Sequence, residues 1–197
     1  MSESVDRQKT TVVTVAKYDP SWPLRFEALK REYGAAMRTA GVHVIAVEHV
    51  GGTSVPGLAS KPVIDCDIVV ESSEVEEAAK VLTSLGFVAL GELGIPQRWA
   101  FKEPPRLAGT NTYVVVNGTL SHRNHILFRD LLRAHDDLRD EYARVKNDAA
   151  KSTSTIEEYG QFKGPTIWRI MELSGLTHQE IESIRTNQVP SRDDMPR

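Results

Sequence analysis

The 197-residue chain is 40% hydrophobic and 26% charged, with a formal net charge of −3, a composition that excludes extensive disorder. The slight acidic excess offers no general attraction for nucleic acid or an anionic membrane, and no apolar run nears the ~20 residues that span a bilayer. A polar N-terminus unlike a signal peptide and a single cysteine, Cys66, point to a reduced, cytoplasmic protein without an internal disulfide.

In chain order, residues 1–10 and 186–197 read as loose termini around one domain at 11–185. Residues 11–16 are a β-branched run expected as a strand. Tyr18-Asp19-Pro20-Ser21-Trp22-Pro23 opens a helix, where proline is tolerated in the first turn. Phe26, Leu29, Tyr33, Met37 and Ala40 follow at steps of three and four, and Gly41 ends this apolar stripe. Residues 42–50 and 63–70 are the two central strands. Between them, 53–62 holds the phosphate-loop candidate and at most one helical turn. Ser73-Glu74-Val75-Glu76 has the form of a capping box, starting a helix with Val75, Ala78, Ala79, Leu82 and Leu85 on one face. Short strands are expected at 87–90, 99–102 and 112–116, with loops at 91–98 and 103–111.

After Asn117-Gly118 the pattern turns helical. Ile126, Leu127, Leu131 and Leu132 mark one helix; Leu138, Tyr142, Val145 and Ala149 mark a second. Ile167, Ile170 and Met171 form a third apolar set, and Thr177-His178-Gln179-Glu180 caps a last short helix. The fold class is therefore α+β: a mixed sheet in about 11–116 and a helical lobe in about 121–185 packed on it.

The chemistry concentrates between the two central strands. Gly51 and Gly52 end an apolar strand, where backbone unencumbered by Cβ atoms can approach a phosphate. Thr53 and Ser54 add hydroxyls, although no Gly-Lys-Ser/Thr follows, so this is not a Walker loop. Asp65 and Asp67 stand at i, i+2 on the next strand, hence on one side of the sheet and about 6.6 Å apart along it. A strand otherwise wholly apolar should not carry two like charges on one face. Either they lie at an exposed edge, or a cation neutralises them: one Mg²⁺, or two about 3.5–4 Å apart, shared with a triphosphate. Cys66, between them, reads as a buried thiol.

Other polar residues admit two readings. Lys61 either reaches a carboxylate or phosphate or is a solvated loop lysine. Arg98 and Lys102 share one strand face opposite Trp99 and Phe101, as a second phosphate grip or as the wet side of a half-buried strand. His49 either touches a nucleotide or packs at a strand end. His122 and His125 at i, i+3, with His135 beyond, lack a locally pinned third ligand for zinc. Arg129, Arg133 and Arg139 alternate with Asp130, Asp136, Asp137 and Asp140, the pattern of solvent-exposed helical faces.

Taken together, Tyr18 to Trp22, Glu48 to Asp65, Gly94-Ile95-Pro96 with Arg98, and His125 to Asp130 resemble the GrpB family over residues 11–172. That family resembles the nucleotidyltransferase superfamily with a polymerase-β-like fold, whose pattern Val50, Gly51, Gly52, Asp65, Cys66, Asp67 and Ile68 fill in order. The resemblance implies that Gly52 to Ser54 hold a triphosphate and that Asp65 and Asp67 bind Mg²⁺ (or Mn²⁺), with an NTP as substrate. Two departures stand out: Gly52 replaces the family's usual serine, and Thr112 to Val116 lacks its His-x-His pair. No acid lies between Arg106 and Asp130, where active nucleotidyltransferases place a third carboxylate. Members of the family also occur fused to dephospho-coenzyme A kinase, described there as a folding accessory.

The expected function is metal-dependent nucleotidyl transfer from an NTP to a small-molecule acceptor. Asp65 and Asp67 would be catalytic, with Gly51, Gly52, Thr53, Ser54, Lys61, Arg98 and Lys102 binding the nucleotide and His49 and His125 as further candidates. The alternatives are an inactive nucleotide-binding or accessory module, and a related cyclisation or ligation enzyme on the same fold.

Overall fold

The computed structural model describes residues 13–186. Helix α1 (Ser21–Thr39) is preceded by a turn in which the Asp19 carboxylate accepts the Ser21 N–H. Its buried stripe is Trp22, Phe26, Leu29, Tyr33 and Met37, while Ala40 is exposed just past the helix end. Strands β1 (Val44–Val50) and β2 (Ile64–Val70) follow, then α2 (Val75–Ser84), β3 (Val88–Gly91), β4 (Arg98–Lys102) and β5 (Thr110–Val116).

The five strands form one mixed sheet in the order β1-β2-β5-β4-β3. Only β2 and β5 pair in parallel; every other neighbouring pair is antiparallel. The return to β5 beside β2 places the carboxylate-bearing strand at the second position, flanked by the glycine turn on one side and β5 on the other.

Side-chain alternation assigns the two faces. Cys66, Ile68, Val70, Val114 and Phe101 join Tyr33, Met37, Ala78 and Leu82 in the main core beneath α1 and α2. Tyr33 closes this layer with a buried hydroxyl contact to Thr112 at 3.1 Å. The opposite face carries Asp65, Asp67, Asn111, Tyr113 and Ala100; α3 (Leu120–Ala134) packs against it, and α4 (Asp136–Ser152), α5 (Ile156–Leu173) and α6 (His178–Thr186) complete the lobe. Leu132, Leu138, Tyr142 and Ile170 of the lobe enclose Val55 and Leu58, so the irregular segment after the glycine turn is anchored in the lobe. Among the described residues no helix is long and apolar enough to cross a membrane.

Several local expectations change. Of the strand expected at 11–16, residues 11 and 12 lie outside the described residues, and the remainder makes a single antiparallel bridge between Ala16 and Ser60. The Ser73 capping box does not form. Ser72–Glu74 is a 3-10 turn instead, and the Glu74 carboxylate accepts the His43 N–H, 31 residues away. The boxes that do form are Thr177 with Glu180, as expected, and Thr155 with Glu158, which starts α5 eleven residues ahead of its first expected apolar residue. Thr186, expected in the loose terminus, is the last residue of α6; the rest of both expected tails lies outside the described residues.

Met37 is fully buried between α1 and the sheet. Met37→Ala should therefore lower the unfolding free energy by about 2–4 kcal/mol, read from urea denaturation at constant m-value.

Candidate active site

Gly51 turns the chain out of β1 with φ +69° and ψ −171°, a conformation open to glycine alone at little cost. It also faces β2 closely: a Cβ on Gly51 would overlap the Asp65 carboxylate, whose Cγ would lie only 2.9 Å away. Gly52 is equally confined, since a Cβ there would meet the Ser60 hydroxyl and stand 2.6 Å from Lys146 Nζ. The serine that the family resemblance would place at this position would require the Ser60 and Lys146 side chains to shift. Glycine at both positions thus brings the turn against an acid on one side and a base on the other.

The turn's hydroxyls face inward. Thr53 donates to the Val63 carbonyl at 2.9 Å and Ser54 to the Gly51 carbonyl at 2.6 Å; both side chains are buried. The single Thr53 hydroxyl proton is thereby committed, so His49 Nε2, 3.0 Å away, must carry a hydrogen and donate to Thr53. The His49 ring stacks on Phe26, and burial with Arg133 and Arg129 nearby lowers its pKa to about 4. His49 is therefore a neutral packing group on the α1 side. The turn is left with backbone N–H groups to offer a phosphate.

Asp65 and Asp67 share the lobe-facing side of β2. Asp65 Oδ1 accepts from the Asn111 amide at 2.7 Å, and burial raises the Asp65 pKa while Asn111, His125 and Lys146 oppose that rise. Asp67 is fully buried; its Oδ2 lies 2.7 Å from His125 Nδ1, whereas its Oδ1 is buried with no hydrogen-bond partner. An orphan carboxylate oxygen beside a second carboxylate suits a divalent cation. Among the described residues no cluster of three acidic, His or Cys side chains could hold a metal by itself, so the remaining ligands would come from water and substrate. Asn111 and Tyr113, beside Asp65 and Asp67 on β5, are neutral; this pair suits one cation rather than two.

The lobe supplies groups that the sequence reading missed. Lys146 on α4 is buried, donates to the Ser60 hydroxyl at 2.6 Å and lies over the Tyr142 ring. Burial, with Lys163 adding repulsion, lowers its pKa to about 7. Lys163 on α5 sits 4.0 Å from the Tyr159 ring centroid, and burial with Lys61 nearby lowers its pKa to about 8. Lys146 thus stands at the glycine turn, with Lys163 near it and Lys61 near Lys163. The signal was present: Lys146 falls on the stripe Leu138, Tyr142, Ala149, where a charge is out of place.

The α3 arginines correct the expectation of an exposed face. Arg129 is buried and donates to the Glu48 carboxylate at 2.6 Å and the His49 carbonyl at 3.1 Å. Arg133 donates through Nε and an Nη to the Ser54 carbonyl at 3.0 and 2.8 Å. Both staple the glycine turn to the lobe. Arg98, on β4, lies over the Tyr113 ring at 4.7 Å, away from the turn, and Lys102 is exposed at the far end of that strand. Cys66 is inert: burial and the flanking aspartates push its thiol pKa up. His122, His125 and His135 make no metal cluster.

Residues 12–173 match the family profile described as GrpB protein. The chain belongs to the GrpB family. It is 35% identical over 169 residues to a UPF0157 protein of Halalkalibacterium halodurans, covering 84% of each. A dephospho-CoA kinase of Mycolicibacterium paratuberculosis is 29% identical over 177 residues, which are 75% of this chain and 42% of that protein. Among solved structures, the conserved protein GrpB from Enterococcus faecalis superposes with a TM-score of 0.70 at 27% identity, covering 82% of this chain and 96% of that one. A chain of the GLD-2/RNP-8 complex gives 0.52 at 12% identity over 84% of this chain and 64% of its own, a likeness of fold. The fold of this GrpB protein is the nucleotidyltransferase-like α+β arrangement that the resemblance implied.

Gly51→Ala would force an L-residue to positive φ and displace the Asp65 carboxylate. It should destabilise this GrpB protein by about 1–3 kcal/mol in thermal or urea unfolding. The Lys146 pKa in the folded state, about 7, lies below the unfolded value of about 10.4. Between them the unfolded chain binds more protons, so stability should rise with pH from about 7 to 8.5. Lys146→Met should flatten that rise, measured as the urea midpoint against pH.

Proposed function

We propose that this GrpB protein is a nucleotidyltransferase that moves a nucleoside monophosphate from an NTP to a small-molecule acceptor. The observation that carries the reading is the unpartnered Oδ1 of Asp67, buried beside Asp65 on the strand that faces the glycine turn. Asp65 and Asp67 would hold Mg²⁺ or Mn²⁺, which when bound neutralises charge developing on the leaving pyrophosphate.

The remaining work falls to the chain's own groups. The backbone N–H groups at the start of the Gly52–Ser54 turn receive phosphate oxygens, as a close approach without Cβ atoms permits. Lys146 and Lys163, their pKa values depressed to about 7 and 8, are positioned with Lys61 to take up protons as a triphosphate arrives and to balance its charge. The acceptor oxygen or nitrogen forms a bond to the α-phosphorus while the bond from that phosphorus to the pyrophosphate oxygen breaks. The acceptor proton goes to His125: its Nδ1–H donates to Asp67, which leaves the Nε2 lone pair as receiver. That supplies the role left open by a β5 without a carboxylate. Arg98 and Lys102 stand on the β4 side and take no part in holding the triphosphate.

A second reading, a nucleotide-binding accessory module, is favoured by one observation. Asn111, hydrogen-bonded to Asp65 where a further acid would serve a two-metal site, keeps that position neutral. The kinase relative, of which the matching residues span 42%, fits such a module as well.

Calorimetric titration with ATP, GTP, CTP and UTP, with and without Mg²⁺, should show binding that weakens more than about tenfold in Asp65→Asn/Asp67→Asn. Pyrophosphate release in a metabolite screen should depend on the same residues. Binding without release would transfer support to the accessory module, and absence of NTP binding would eliminate both readings.

A further inference from the structure

On the lobe face, on the other side of β2 from the glycine turn, lies a cavity of about 370 Å³. It is framed by Pro96 to Arg98 at the start of β4, by the first turns of α3, and by Met171 and Ile184 from α5 and α6. Its size falls at the small end of ligand pockets, about 300–1,000 Å³. Two of its walls carry polar atoms that the fold leaves unsatisfied: Arg98 Nε and Asn124 Oδ1 are both buried without a hydrogen-bond partner. Such atoms are uncommon in a native interior, and a guest that draws these two side chains toward it would give each of them a partner.

The electrostatics choose the guest's charge. The lining contains Arg98 and His125 and no carboxylate. Helix α3 also begins there: the Thr119 side chain accepts the His122 N–H, and the first turn holds no acidic residue. The Leu120 and Ser121 N–H groups therefore point out of the helix start without an intrahelical acceptor, at the positive end of its dipole. A guanidinium and a helix N-terminus together favour a carboxylate or phosphate.

The position chooses the guest's role. His125 lines the cavity and is hydrogen-bonded to Asp67, so the cavity shares a wall with the carboxylate pair. In sheet order the lysine-flanked turn ends β1, the carboxylates lie on β2, and Arg98 lies on β4 beyond β5. Cationic groups thus sit on both sides of the acids. We propose that this cavity binds the acceptor of the transfer reaction, a small molecule whose carboxylate or phosphate is held by Arg98 and the start of α3 and whose hydroxyl is read by Asn124. The assignment rests on the transferase reading for the word acceptor, whereas the anion pocket itself does not need it.

The test therefore omits nucleotide and divalent cation. The full chain is titrated with glycerate and with glycerol 3-phosphate, following the Arg98 Nε–Hε signal by ¹H–¹⁵N NMR and affinity by calorimetry. One of the two probes should bind and shift that signal, and the tighter one tells carboxylate from phosphate. Arg98→Lys, which keeps the charge without the Nε–H donor, and Asn124→Asp, which keeps the shape but repels an anion, should each weaken binding about tenfold or more. Lys80→Met, on the exposed side of α2 across the sheet, should leave it within about twofold. Binding of neither probe, or binding that survives both substitutions in folded protein, overturns the proposal. So does competition by ATP, because the cavity would then belong to the nucleotide. Probe binding with no NTP binding removes the transferase reading and the acceptor role with it, whereas loss of probe binding alone removes only the cavity assignment.

Discussion

Two carboxylates on an interior strand must be balanced, and the placement of the lobe follows from that requirement. Asp65 is pushed toward its neutral form by burial and pulled back by the Asn111 amide, His125 and Lys146. Asp67 is tied through Oδ2 to His125 while Oδ1 has no donor. The compensating groups come from β5, α3 and α4, and they leave one carboxylate oxygen unpaired. A protein that needed only a packed sheet would fill these positions with valine, as Val69 and Val115 do on the same face, because burying charge without full pairing costs stability.

The glycine turn is the second half of this balance. Its backbone is confined between Asp65 and Lys146, so a Cβ at either residue would displace a neighbouring side chain. Arg129 and Arg133 fix it from α3 through the His49 and Ser54 carbonyls. Val55 and Leu58, immediately after the turn, anchor the chain in the lobe core. A turn held on both sides is preorganised, so a ligand docking there need not order a loop first.

Most elements were readable in the sequence because their signals are local. The α1 stripe, the apolar run of β2 and the alternation of Trp99 and Phe101 against Arg98 and Lys102 each follow from the side-chain period of one element. The errors fell where a distant group decided the outcome. Ser73 looked like a cap, but the chain there forms a 3-10 turn whose Glu74 carboxylate accepts the His43 N–H, nearby only in the fold. The start of α5 was obscured because Gly160, Gly164 and Pro165 interrupt its apolar period, although Thr155 and Glu158 marked its beginning. The α3 arginines have the spacing of a solvated face, and only the approach of β1 turned Arg129 into a buried contact.

By itself the sequence determined the element types, the GrpB resemblance, and the pairing of a glycine turn with two aspartates on one strand face, since all of these depend on neighbours within a few residues. Tertiary structure decided which charges meet those aspartates. Lys146 lies 81 residues from Asp65, and His125 lies 58 from Asp67. Their juxtaposition, the inward turn of the Thr53 and Ser54 hydroxyls, and the cavity between β4 and the lobe arise only when helices pack across a sheet. Charge interactions act through space, and spacing along the chain carries no record of which distant group will be near.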